Sequence, residues 1–191
     1  MDIKEEQIND CTSFFKRIGI NNVQFRVEDL LVRTHTNEFD LILAVDVREH
    51  IEEDRTVLQN FAAALNPGGF LLIHTPSDQG GSDTEASGEG GFIGEHARVG
   101  YGRHEIGEKL IAAGLTIERI RYTYGRLGMR AWRLGIKTPM RLLNIHKAFF
   151  VILPIYYLLI LPVILPMMRA DLDMENATGA GLLVLARKPH G

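Results

Sequence analysis

Residues 38–76 read EFDLILAVDVREHIEEDRTVLQNFAAALNPGGFLLIHTP. Residues 41–45 and 70–73 are unbroken apolar runs, the signature of strands buried on two faces. Between them Val57, Leu58, Phe61 and Leu65 recur at helical spacing. Asn66-Pro67-Gly68-Gly69 then supplies the chemistry of a helix-ending turn. Strand, helix and strand in this order predict a βαβ unit with parallel strands. Asp46 and Glu49 fall just beyond the first strand, at the edge where open α/β sheets bind ligands.

The rest of the chain extends this unit. On the N-terminal side, Ile8, Cys11, Phe14, Phe15 and Ile18 predict an amphipathic helix that Gly19 can close. Residues 22–29 predict a strand carrying Val23, Phe25 and Val27 on one face and the acidic pair Glu28-Asp29 at its end. On the C-terminal side, residues 77–102 are rich in Gly, Ser and acidic side chains. They are too long and too polar for an ordinary connection, and read as a lid or substrate loop. Ile106, Leu110 and Ile111 predict a short helix ending at Gly114. Residues 115–124 predict a strand whose apolar phase slips near Arg119, where a bulge would restore it. Residues 182–186 predict a last, central strand.

The 191 residues suit one domain spanning the whole chain. A formal charge of −3 and the lack of a basic run give no reason to expect a nucleic-acid partner. A lone cysteine, Cys11, excludes an intrachain disulfide, and the opening Met1-Asp2-Ile3-Lys4 has no apolar secretory core. Both point to a cytoplasmic setting. The seven histidines lack ligand spacing, so no metal is expected. No Gly-x-Ser-x-Gly elbow follows a strand, which argues against a hydrolase.

At residues 38–76 the order of strand, acidic turn, helix and Pro-Gly-Gly turn resembles strands four and five of class I S-adenosylmethionine-dependent methyltransferases. Residues 96–120, HARVGYGRHEIGEKLIAAGLTIERI, are similar to that family's next helix and strand. The resemblance implies an α/β fold: a Rossmann-like methyltransferase sheet, N-terminally truncated so that it lacks the family's first strand and Gly-rich cofactor turn, with an apolar helical insertion before the last strand. It implies S-adenosylmethionine as the cofactor. Asp2 would then accept hydrogen bonds from the ribose hydroxyls, Asp29 would read the adenine amino group, and Asp46 and Val47 would line the cleft beside the adenosyl group, with His50 opening the next helix.

Methyl transfer requires a positioned acceptor, and a base where the acceptor must lose a proton. His74, His96, His104 and Tyr101 are the candidates. His96 and Tyr101 are preferred as catalytic residues because they lie on the loop that would cover the cleft, with Arg98 available for an anionic group.

Residues 148–168 are 21 positions without a charge, long enough for a membrane span. Pro154, Pro162 and Pro166 interrupt them. In the family, the strands before and after this segment are neighbours, which a single crossing would separate. The expectation is that residues 126–170 form a basic and apolar membrane-associating insertion, interfacial or re-entrant and Pro-kinked. Arg126, Arg130, Trp132, Arg133, Lys137 and Arg141 would approach the inner face of the membrane. The acceptor is then a small or lipidic molecule. A buried helix or an oligomer interface is the plainer reading of the same segment, and a non-catalytic membrane-associated remnant is the alternative for the whole chain.

Overall fold

The computed structural model of the protein describes residues 1–46, 51, 53–80 and 100–190. Its centre is the expected βαβ unit: β1 (Phe39–Val45), α2 (Asp54–Ala64) and β2 (Leu65–Pro76), with the two strands parallel and paired from Leu41 with Phe70 to Val45 with His74. α1 (Glu5–Arg17) precedes it, ending before Gly19, whose φ of 77° suits only the residue without a Cβ. α3 (Arg103–Ala112) and β3 (Thr116–Thr123) follow, and β4 (Gly181–Arg187) closes a four-stranded sheet in the order β1-β2-β4-β3. β4 is antiparallel to both neighbours and central, as its apolar run predicts. The ladder between β3 and β4 shifts register between Ile117 and Arg119, the site of the expected bulge.

Three expectations change. Residues 41–45 read as buried on both faces, yet β1 lies at the sheet edge with Leu41, Leu43 and Val45 more than half exposed. The reason is that the core forms on one face. Val57, Leu58 and Phe61 of α2, with Ile106 and Leu110 of α3, cluster with Ala44, Leu71, Ile73, Val184 and Ala186, and alternation sends the intervening side chains to the other face. Asn66-Pro67-Gly68-Gly69 is not a separate turn, because β2 begins directly after α2 and contains it. The Gly68 N–H donates to the Lys188 carbonyl and the Lys188 N–H to the Gly69 carbonyl, both at 2.9 Å, so the C-terminal tail supplies the partners of this irregular start. The strand expected over residues 22–29 reduces to a single parallel bridge between Asp2 and Val27.

Between β3 and β4 the chain builds a helical insertion: α4 (Arg126–Trp132), a π-turn segment (Arg133–Lys137), α5 (Thr138–Ile145), a short 3₁₀ turn (Lys147–Val151) and α6 (Leu153–Asp173). α6 runs through Pro162 and Pro166 as one helix, where the prolines predicted interruption. It packs antiparallel on α4 and the π-turn at two glycines seven residues apart. A Cβ at Gly128 would stand 2.5 Å from Asp171 Oδ2, and one at Gly135 would stand 2.9 Å from Ile164 Cδ1. The Tyr157 hydroxyl donates to the Gly135 carbonyl at 2.8 Å, and Tyr156 donates likewise to Leu134. Ile164 and Asp171 are the buried residues of α6. Its apolar remainder faces outward, with Leu158 and Leu159 74% and 71% exposed.

Candidate functional site

The edge of the sheet at the ends of β1, β2 and β3 gathers polar side chains. Asp46 follows β1 in the left-handed region, φ 49°, and its N–H donates to the His74 carbonyl at 3.0 Å. On β2, His74 Nδ1 lies 3.2 Å from Asp46 Oδ1, and its Nε2 lies 3.2 Å from Thr123 Oγ1 on β3. The second contact crosses β4, where Gly181 makes room for it. A Cβ at Gly181 would come within 2.5 Å of Thr123 Oγ1 and 3.1 Å of His74 Nε2. Tyr124 stands edge-on to the imidazole with ring centres 6.0 Å apart. When Nδ1–H donates to the Asp46 carboxylate, Nε2 presents a lone pair that can receive the Thr123 hydroxyl proton or one from an acceptor. Sequence reasoning named His74 but ranked it below His96. Its place at the end of an apolar strand run was the available signal.

A second group of carboxylates lies on the other side of β1. Asp2 bonds to the 26–28 segment through its backbone: its N–H donates to the Arg26 carbonyl and its carbonyl accepts the Glu28 N–H. The Asp2 carboxylate accepts the Lys4 N–H at 2.8 Å, and Asp29 Oδ1 accepts the Leu31 N–H at 2.9 Å. Asp29 lines a cavity of about 310 Å³ together with Leu30, His35, Leu41, Leu43 and Phe61, while Asp2 and Asp46 lie outside its lining. His35 fastens this segment to the start of β1, its Nε2 2.8 Å from Glu28 and its Nδ1 2.5 Å from Glu38. Hydrogen bonding to Glu28, and then to Glu38, raises the His35 pKa above its ordinary 6.5. Asp29 thus sets a carboxylate among largely apolar lining residues, where it can accept hydrogen bonds from a polar ligand.

The remaining expected site residues separate. Tyr101, expected over the cleft, is fully buried; its hydroxyl donates to Asp54 Oδ2 at 2.8 Å, and Lys109 Nζ is 2.5 Å from the same oxygen. The Lys109 ammonium also lies 5.2 Å from the centre of the Tyr101 ring. This geometry makes Tyr101 a packing and hydrogen-bonding residue of the core. It also fastens the base of the 77–102 segment: the Tyr101 N–H donates to the Pro76 carbonyl and the Asp78 N–H to the Tyr101 carbonyl, both at 3.0 Å. Val47, His50, His96 and Arg98 lie outside the described residues. Among the described residues no three His, Cys, Asp or Glu side chains are grouped to hold a metal ion.

A family model described as "methyltransferase domain" matches residues 1–98, just over half of the chain. No curated protein sequence matches. Among solved structures, a protein from Galdieria sulphuraria assigned as a sarcosine dimethylglycine methyltransferase has a TM-score of 0.61 at 14% identity, covering 99% of this chain and 68% of that one. The N-methyltransferase NodS from Bradyrhizobium japonicum WM9, solved with S-adenosyl-L-homocysteine, has a TM-score of 0.53 at 18% identity, covering 98% and 64%. The [4+2]-cyclase SpnF has a TM-score of 0.58 at 19% identity, covering 99% and 64%. The chain thus spans just under two thirds of the length of NodS and of the cyclase.

Proposed function

Because the chain belongs to the methyltransferase domain family, we propose that it uses S-adenosylmethionine to methylate a small or lipophilic acceptor at a membrane surface. The cofactor assignment draws on the family and on NodS, which was solved with the demethylated product of that cofactor. Asp29, with Asp2 beside it, would hold the ribose and adenine; the bound cofactor supplies an electrophilic methyl group. His74 would take the proton of the acceptor at Nε2, with Asp46 fixing the imidazole from Nδ1.

The observation that carries the membrane part is α6, the described helix long and apolar enough to cross a bilayer, whose apolar residues face outward. A fully buried Leu or Ile is worth roughly 1.5–3 kcal/mol over an exposed one, so this bare face favours an apolar cover. Two facts favour lying on the membrane over spanning it. β3 and β4, on either side of the insertion, pair in one sheet. α6 is also tied to α4 and the π-turn from Tyr156 to Asp171, a length of about 22 Å at 1.5 Å per residue. The cationic side chains of the insertion would meet anionic lipid headgroups, on the cytoplasmic face.

Incubation with methyl-tritiated S-adenosylmethionine and a membrane lipid extract tests this reading. Label in the organic-extractable fraction, together with flotation of the protein on vesicles, supports it. No transfer to lipid and no vesicle binding would overturn it.

A further inference from the structure

A cavity of about 380 Å³ opens beside the His74 row. It is lined by Gln79 beyond β2, Tyr124 and Gly125 beyond β3, Thr178, Gly179 and Ala180 ahead of β4, and Arg126, Met129, Arg130 and Arg133 from the insertion. Its floor is therefore the ends of three strands, and three arginines are among the residues of its wall. Spacings of four and three residues bring Arg126, Arg130 and Arg133 onto one helical face, and among the described residues that line the cavity none is a carboxylate.

Two further observations limit what such a cavity takes. Tyr124 lines it and also stands against His74, so a ligand there borders the proposed proton acceptor. On the other side α4 packs on α6 at Gly128 and Asp171, so the cations stand between the polar sheet edge and the bare apolar helix. Polar edge, cationic wall and apolar face follow one another as the parts of an amphiphile do. A carboxylate is satisfied by one bidentate guanidinium, whereas a phosphate has enough oxygens and charge to engage two or three.

We propose that the cavity lined by Arg126, Arg130 and Arg133 binds the terminal phosphomonoester headgroup of a lipid acceptor whose apolar chain remains in the membrane beside α6. This rests on the membrane-acceptor reading above and names the acceptor's class.

The test is flotation of the full chain on phosphatidylcholine vesicles with and without phosphatidic acid. Wild-type protein should bind both and prefer phosphatidic acid. Arg126→Ala/Arg130→Ala should weaken binding to phosphatidic acid about tenfold or more, from the loss of charge-assisted hydrogen bonds, and leave binding to phosphatidylcholine unchanged. Lys137→Ala/Arg141→Ala removes the same charge outside the cavity lining and should keep most of the preference. Equal loss in the two double variants, or no preference in wild type, would overturn the headgroup site while leaving the membrane reading standing. Failure to float on either vesicle would overturn the membrane reading itself. Tight binding of inorganic phosphate at this cavity without a phosphatidic-acid preference would assign it to a free anion and would also overturn the proposal.

Discussion

An imidazole with a carboxylate on one nitrogen is held in a single tautomer, which frees the other nitrogen to receive a proton. Asp46, His74 and Thr123 have this arrangement across the four strands of the sheet. His74→Gln should lower the rate of methyl transfer by roughly 10²–10⁴, the usual share of a general base, with affinity for S-adenosylhomocysteine unchanged. An equal fall in affinity would make His74 a packing residue. Tyr101→Phe has the opposite expectation: loss of the buried bond to Asp54 should cost about 1–3 kcal/mol in urea unfolding and spare the kinetic constants.

His35 gives a pH dependence. Its pKa is raised in the fold by Glu28 and Glu38, so its stabilisation is complete below its ordinary 6.5 and is lost as pH rises through the higher folded value. Stability measured across that interval should fall in the wild type, and His35→Gln should remove that part of the fall. Asp46 was legible in the sequence because it follows an apolar strand. Its link through His74 to Thr123 was not, since it depends on register across β2, β4 and β3 and on the missing side chain of Gly181.

At the scale of elements, α6 is built inside out: its buried side meets glycines and carbonyls while its leucines face away from the protein. Leu158→Asp/Leu159→Asp should abolish vesicle flotation and leave the circular dichroism of the fold intact; unchanged flotation would remove α6 from the membrane contact. Gly128→Val and Gly135→Val should each destabilise the insertion by about 1–3 kcal/mol through overpacking against Asp171 and Ile164. The uncharged run at residues 148–168 was legible, although its first residues form the 3₁₀ turn and α6 continues past it through Arg169, Asp171 and Asp173. Its continuity was not, because each internal proline deletes one hydrogen bond from a ladder of 21 residues and the rest of the helix persists around it. The bulge in β3 was legible from one break in alternation, whereas the edge position of β1 was not, because an apolar run of five does not say which neighbours a strand has.

At the scale of the molecule, the sheet order and the family match establish a methyltransferase fold, and the resemblance to a cyclase shows that such a fold also carries other chemistry. Methyl transfer requires the cofactor, so its binding is the first condition of the account. In the proposed reading, the slot beside β1 and the Asp29 carboxylate would hold the cofactor's adenosine half. Calorimetric titration of the full chain with S-adenosylhomocysteine is the most direct measurement. Saturable binding at one site, weakened at least tenfold in Asp29→Ala, is the expected result; no heat of binding at millimolar ligand, in a protein whose folded state is verified, would contradict it.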